Sequence, residues 1–298
     1  SYRKKLAQFY TNQNVNVNTE DILITTGGSE ALLFALGSIM DPEDELIIPE
    51  PFYANYSAFA AESAAKVVPV NSGFETGFEL PSIADFEQLI TPKSKAILIC
   101  NPNNPTGYLY SESEILQLGE LAKKHDLFLI ADEVYREYVY DGEKQVSMFE
   151  FPELKDNCIV IDSESKRYSM CGVRIGCMVT RSKSLHDAAM KFAQARLSPV
   201  LIGQILATAA HDNDAAYIQS VREEYTKRRN LLVELLNDIP GVVCPTPKGA
   251  FYCVAELPVE DADDFAQWLL ESYNLNGETV MVAPAGGFYS TPGMGLNQ

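Results

Sequence analysis

Lys166 follows Ser163, Glu164 and Ser165, directly after the apolar run at residues 158–161 and eight positions before Arg174. A surface lysine requires no such frame. A lysine at the end of a buried strand suits a Schiff base to an aldehyde cofactor, and a nearby arginine can grip a phosphate through two parallel hydrogen bonds. Ser163 and Ser165 add hydroxyls, with Ser163 directed to the phosphate. Four other segments carry complementary groups. TTGGSEAL, residues 25–32, sets Gly27, Gly28 and Ser29 at the start of a helix, where free N–H groups and the helix dipole favour an anion. PEPFYANY places Phe52, Tyr53 and Tyr56 where an aromatic face could stack on a planar ring. NPNNPTG, residues 101–107, is a proline-stiffened loop presenting fixed amides, and a rigid turn of this kind can retain a cis X-Pro bond. ADEVYREY puts Asp132, Glu133 and Tyr135 after a buried run, where a carboxylate requires a partner such as a protonated ring nitrogen.

Taken singly, each has an ordinary explanation. The Gly-Ser pair is a turn and cap, the aromatics are core, the aspartate caps a helix and the lysine is on the surface. It is the five together, each after an apolar run, that point to one site.

The elements that must position these residues alternate. Residues 21–25, 44–51, 65–70, 95–101, 127–135 and 158–166 each contain a strand, and VRIGCMVT adds another. Helices intervene: one from Ser29, which is placed to cap it, and one opened by Ser111 with Glu114 three later, a capping box. A long helical stretch covers about residues 184–237, broken at Pro199 and Gly203. Apolar strands alternating with helices indicate an α/β fold, a mostly parallel central sheet with helices on both faces. Ligands in such sheets bind at the carboxyl ends of the strands, where the polar motifs fall. After about residue 232 the texture changes: residues 241–258 read as two short strands around a turn, residues 261–274 as a helix capped by Asp263 or a neighbour, and residues 278–288 as a strand and loop. The expected organisation is a large cofactor-binding domain, 1–232, and a partial, smaller α+β domain, 233–298.

The 298 residues, 46% apolar, suffice for a large core. A net charge of −18 argues against nucleic acid or an anionic membrane as partner. Six cysteines without a C-x-x-C pair, mostly in apolar runs, read as reduced buried thiols and a cytoplasmic compartment. Three scattered histidines give no zinc spacing, so no metal is expected. No apolar run is long enough for a transmembrane helix. The first residues, SYRKKLAQFYTNQN, read as a helix already under way, and the last, GFYSTPGMGLNQ, as an open loop, so both ends look cut.

With NPNNPTG, ADEVY and SESKRYSMCGVRIG in this order, the chain closely resembles the class I/II aminotransferases, pyridoxal-phosphate enzymes of the aspartate aminotransferase fold type. The resemblance runs through nearly the whole chain. It implies pyridoxal 5'-phosphate as cofactor, Lys166 as Schiff-base lysine and proton shuttle, and Asp132 paired with the pyridine nitrogen. Asn104 and Tyr135 would bond the phenolic oxygen, Tyr53 would stack on the ring, and Gly28, Ser29, Ser163 and Arg174 would hold the phosphate, with Glu30 following on the helix. It further implies ping-pong transfer between an amino acid and a 2-oxo acid, aspartate and 2-oxoglutarate by default, and a homodimer. Members usually carry an N-terminal closing segment and an arginine that clamps the substrate carboxylate past a loop like GMGLNQ; neither can be assigned here. Other readings are a lyase, decarboxylase or aminocyclopropane-carboxylate-synthase-like enzyme, a cofactor-binding fragment without turnover, or a sensing domain without catalysis. The intact Lys166, Asp132 and Arg174 and the acidic charge argue against the last.

Overall fold

The computed structural model describes residues 1–154, 156–212 and 214–298. Helix α1 (Tyr2–Asn12) leads into strand β1 (Ile22–Thr25), followed by α2 (Gly28–Ile39), β2 (Glu45–Glu50), α3 (Asn55–Glu62), β3 (Lys66–Asn71), α4 (Ile83–Leu89), β4 (Ser94–Cys100), α5 (Glu112–Lys124) and β5 (Phe128–Asp132). Then come β6 (Cys158–Ser163), the one-turn α6 (Glu164–Arg167), β7 (Gly176–Val179), α7 (Lys183–Arg196), α8 (Leu201–Ala210), α9 (Asp214–Asn237) and α10 (Ala262–Glu271).

The strands form one seven-stranded sheet in the order β1-β7-β6-β5-β4-β2-β3. Only β7 runs against its neighbours, pairing antiparallel with both β1 and β6. The remaining pairings are parallel. Alternation along each strand sends residues to opposite faces. Ile97 and Ile99 join α1 and α5 in one core, whereas Ala96, Leu98 and Cys100 join α2, α3 and α7 in another. Each wholly buried Leu or Ile is worth about 1.5–3 kcal/mol, so both layers grip the sheet.

Register decides where the site lies. Cys100 pairs with Asp132 and Asp132 with Ile161, so β4 and β5 finish level and β6 runs two residues further, to Ser163. Gly176 opens β7 opposite both Ser163 and Thr25, bringing the residues just before it to the same edge. That approach leaves no room for a side chain. A Cβ on Gly176 would lie 2.7 Å from the Asp162 carbonyl oxygen and from Gly27 C, and 2.9 Å from Gly28 N.

Several sequence expectations change. Ser29 does not cap α2; Gly27 is the N-cap, at φ 83°, and Ser29 lies one position inside the helix start. Ser111 and Glu114 do form their capping box. The break near Pro199 is present, but Gly203 lies within α8, where a Cβ would come 2.6 Å from Ile175 Cγ1. α8 ends at Ala210 and α9 begins at Asp214; Asn213, between them, lies outside the described residues. Residues 241–258 form isolated bridges, Val243 to Glu256 and Gly249 to Val139, in place of two strands, because Pro245, Pro247 and Pro258 remove ladder donors. Residues 278–282 make only the Leu275–Glu278 bridge, with Val280, Met281 and Val282 exposed. Asp261 caps α10 by accepting from the N–H groups of Asp263 and Asp264. All six cysteines are free; Cys100, Cys158, Cys177 and Cys244 are buried, Cys253 is half-buried and Cys171 is exposed. Among the described residues no helix is long and apolar enough to cross a membrane.

Because three backbone atoms surround Gly176, Gly176→Ala is expected to destabilise the chain by about 1–3 kcal/mol or more. An unshifted urea midpoint would show that the α2 start and β7 can separate without loss.

Candidate active site

The carboxyl edge of the sheet opens into a cavity of about 180 Å³. Its wall includes Gly28, Ser29, Tyr53, Asn104, Asp132, Tyr135, Ser163, Lys166 and Arg174, nine of the ten residues expected from the sequence. They come from the starts of α2 and α6, the segments after β2, β4 and β5, and the approach to β7. Glu30 is the exception. Its carboxylate turns away, accepting from the Thr26 N–H at 2.8 Å and from Arg196 Nη1 at 2.5 Å, so it ties α2 to the end of α7 and is not a wall residue.

One end of the cavity suits an anion. Gly28 and Ser29 open a twelve-residue helix whose N-cap offers no side-chain cap, leaving first-turn N–H groups for a ligand. Ser163 caps α6, accepting from the Ser165 N–H at 3.1 Å, and its hydroxyl lies 2.9 Å from that of Ser165. Arg174, at φ 57°, swings its guanidinium over Gly27, where a Cβ would meet Nη2 at 2.4 Å. At present it donates to the Cys171 and Thr26 carbonyl oxygens at 2.9 and 3.2 Å.

The other end carries an acid. Asp132 is 6% exposed, and its Oδ2 accepts from Tyr56 Oη at 2.9 Å while Oδ1 accepts from the Val134 N–H at 3.3 Å. Burial pushes its pKa up to about 6, against the lowering effect of those two bonds. The same burial holds Tyr56 protonated and so a donor. Tyr53 stands edge-on to Tyr56, with ring centroids 5.5 Å apart.

Lys166 lies between these ends. Its Nζ is 5.8 Å from the centroid of Tyr135 and 5.9 Å from that of Phe251, and among the described residues it forms no ion pair. Asn104 Nδ2 donates to Tyr135 Oη at 3.3 Å, and Tyr135 Oη lies 2.9 Å from Tyr252 Oη. The loop bearing Asn104 is held by two cis bonds, Asn101-Pro102 and Asn104-Pro105. An unpaired amine, an anion cradle and a buried carboxylate at the opposite end together fit an elongated ligand with an aldehyde, a phosphate and a basic ring nitrogen. The donor set therefore suits pyridoxal phosphate.

Sequence reasoning did not assign three residues here. Tyr56 was read only as part of an aromatic face, and its bond to Asp132 spans 76 positions. Tyr252 sits in the PKGAFY loop, 117 positions from Tyr135, and Cys171 lines the wall beside Arg174. The aromatic run of PEPFYANY was the hint available, and it pointed to Tyr56.

The family model for aminotransferase class I and II matches residues 1–284. A putative aminotransferase, YugH, of Bacillus subtilis is 36% identical over 97% of this chain and 74% of its own length. The aspartate aminotransferase of the same organism is 32% identical with the same coverages. Among solved structures, aspartate aminotransferase from Thermus thermophilus with maleate superposes with a TM-score of 0.87 at 30% identity, over 96% of this chain and 74% of that one.

The buried, raised Asp132 makes a stability prediction for the ligand-free protein. A carboxyl whose folded pKa lies near 6 against an ordinary 3.8 favours folding in its protonated form, and that contribution is lost as pH rises between the two values. Asp132→Asn should therefore raise stability at pH 8 by up to roughly 3 kcal/mol, and by nothing near pH 3. Melting curves at the two pH values test this; equal gains at both would exclude the charge as the cause.

Proposed function

The chain belongs to the aminotransferase class I and II family, and from that premise we propose that it moves an amino group between an aspartate-like amino acid and a 2-oxo acid, 2-oxoglutarate by default, using pyridoxal phosphate attached through Lys166. The observation that carries this reading is the meeting in one cavity of the Lys166 amine, the Asp132 carboxylate and the anion cradle of Gly28, Ser29, Ser163 and Arg174. The choice of an acidic donor is supported by the activity for which the Bacillus relative is named and by the maleate, a dicarboxylate, in the Thermus structure.

When bound, pyridoxal phosphate supplies an aldehyde that condenses with amines and a ring that accepts electrons as a bond to the substrate Cα breaks. The chain's residues set that chemistry up. Arg174 and the α2 N–H groups bind the phosphate dianion, with the Ser163 hydroxyl beside them. Asp132, ionised next to a protonated pyridine nitrogen, holds that proton in place, and the partner cation returns its raised pKa toward the ordinary range. Tyr56 fixes the carboxylate from the other side. Asn104 and Tyr135 would hold the phenolic oxygen, and Tyr53 would lie against the ring. Lys166 Nζ, once freed by an incoming amine, would be the base that takes the Cα proton and returns it to the former aldehyde carbon across the nitrogen.

Residues 1–232 form the cofactor-binding domain in this reading and 233–298 the start of a second unit. The compartment is cytoplasmic. The family's common assembly, a homodimer, is supported by the apolar side chains that the α7–α8 connection and α8 leave exposed: Leu197, Leu201, Ile202 and Ile205.

The test is the absorbance of the purified chain with pyridoxal phosphate. A lysine-linked band should shift on adding aspartate and return with 2-oxoglutarate, and Lys166→Ala should stay folded, lose the band and lose turnover. Release of a 2-oxo acid without any acceptor would favour a lyase instead. Full exchange activity in Lys166→Ala would sink the assignment.

A further inference from the structure

Directly behind Lys166 lies a buried cluster of charges that the proposed reaction does not use. Arg167 is 1% exposed, and four of its N–H bonds are taken by three carboxylates. Nη2 donates to both oxygens of Asp162, at 2.9 and 2.7 Å; Nη1 donates to Glu164 Oε2 at 2.9 Å; and Nε donates to Glu137 Oε1 at 2.8 Å. The acids are held from their far sides. Tyr10 Oη donates to Asp162 at 2.8 Å, His211 Nε2 lies 2.8 Å from Glu164 Oε1, and Tyr2 also donates to Glu164. The Phe9 ring lies 4.3 Å from the guanidinium carbon. Burial alone would raise the Glu164 pKa, but Arg167 and His211 outweigh it and bring it down to about 2.

We propose that Arg167 is a positioning residue that fixes the turn carrying Lys166, by clamping the acids on either side of Ser163 to Glu137 of the segment that carries Tyr135. The inference rests on the reading of Lys166 given above.

Three features carry it. First, α6 is a single turn of four residues, too short to hold its own shape, yet it must aim a long flexible side chain. Lys166 Nζ has no ion-pair partner among the described residues, so little beyond the backbone fixes it. Second, the clamp spans both segments that build the site. Asp162 and Glu164 flank Ser163, and Glu137 lies two residues beyond Tyr135. Next to Glu137, Tyr138 donates its hydroxyl to the Lys166 carbonyl oxygen at 2.7 Å. Third, the second arginine of the cluster is held differently. Arg136 approaches Glu133 at 3.7 Å and Asp162 and Glu137 at 4.0 Å, and its Nε and Nη1 make no hydrogen bond. Charge neutralisation would be met by either arginine, but only the Arg167 fork has the geometry of a clamp. Buried ion clusters are often no better for stability than apolar packing, so fold stability is a weak reason for this one.

Arg167→Lys keeps the charge but cannot reach three carboxylates, so it separates geometry from electrostatics. In the cofactor-free protein, Lys166 should react several-fold faster with trinitrobenzenesulfonate, read by peptide mass, while the other lysines keep their rates. In the loaded protein, kcat should fall on the order of tenfold or more with KM within about twofold, because small misplacements of a reacting group cost rate more than binding. The pH midpoint of the lysine-linked band should also move. Tyr10→Phe, which removes only an outer bond to Asp162, should lower the melting temperature and leave these readouts alone. An Arg167→Lys protein with a lower melting temperature but wild-type labelling, kcat and band midpoint overturns the proposal. If that variant does not fold, Glu137→Ala, which cuts the tie between the two segments, decides by the same readouts. The labelling result stands even if the wild-type chain gives no cofactor band, so failure of the cofactor reading is recognised separately.

Discussion

The parallel register of β4, β5 and β6, with β7 entering against them, is the constraint from which the site follows. In a parallel sheet the residues after each strand emerge on the same edge, so Asn104, Asp132 and Lys166 converge without any direct contact having to draw them together. An all-parallel sheet would deliver no residue from the start of a strand to that edge. Antiparallel β7 does so, and it is why Arg174, just before Gly176, stands beside the α2 start. The arrangement depends on Gly176 having no side chain, since its Cα rests against the backbone of Asp162, Gly27 and Gly28.

Around that edge two treatments of charge lie back to back. On the cavity side, neither Lys166 nor Asp132 has an ion-pair partner among the described residues; burial raises the Asp132 pKa to about 6, outweighing Lys166, which lowers it from a distance. Both are costly states for a ligand-free protein and both suit a group that arrives with an aldehyde and a basic nitrogen. On the other side, Glu133, Glu137, Asp162 and Glu164 are packed against Arg136, Arg167 and His211. Burial pushes Glu133 up to about 7, whereas Glu164 is held near 2 by Arg167 and His211. Asp162 and Glu164, which flank the start of the Lys166 turn, have both oxygens bonded, whereas Glu133 Oε2, Glu137 Oε2 and two nitrogens of Arg136 have no hydrogen bond.

Helix α1 takes part although it contributes nothing to the cavity wall. Tyr2, Phe9 and Tyr10 reach the acids and the guanidinium behind Lys166. A helix that the sequence marked only as one already under way is thereby a wall of the charge cluster.

The sequence by itself determined the α/β alternation, the sheet's main strands and nine wall residues, because each depends on short-range features: apolar runs, turn prolines, glycines at a helix start. It also carried the motif order by which the family is recognisable. It misread Ser29 as a cap because the chain direction at Gly27, at φ 83°, is set by Arg174 and β7, far along the chain. It overcounted strands after residue 240 because apolar alternation does not reveal whether a pairing partner is present. It grouped Glu30 with the cofactor-binding residues because Glu30 follows Ser29 on the helix, but adjacency says nothing of which way a side chain turns, and packing against α7 aims it at Arg196. The Tyr56–Asp132 bond, the Tyr135–Tyr252 pair and the Arg167 clamp join residues from separate elements. Their identity was in the sequence, but their meeting was decided by sheet register and by the burial that forces each polar group to find a partner.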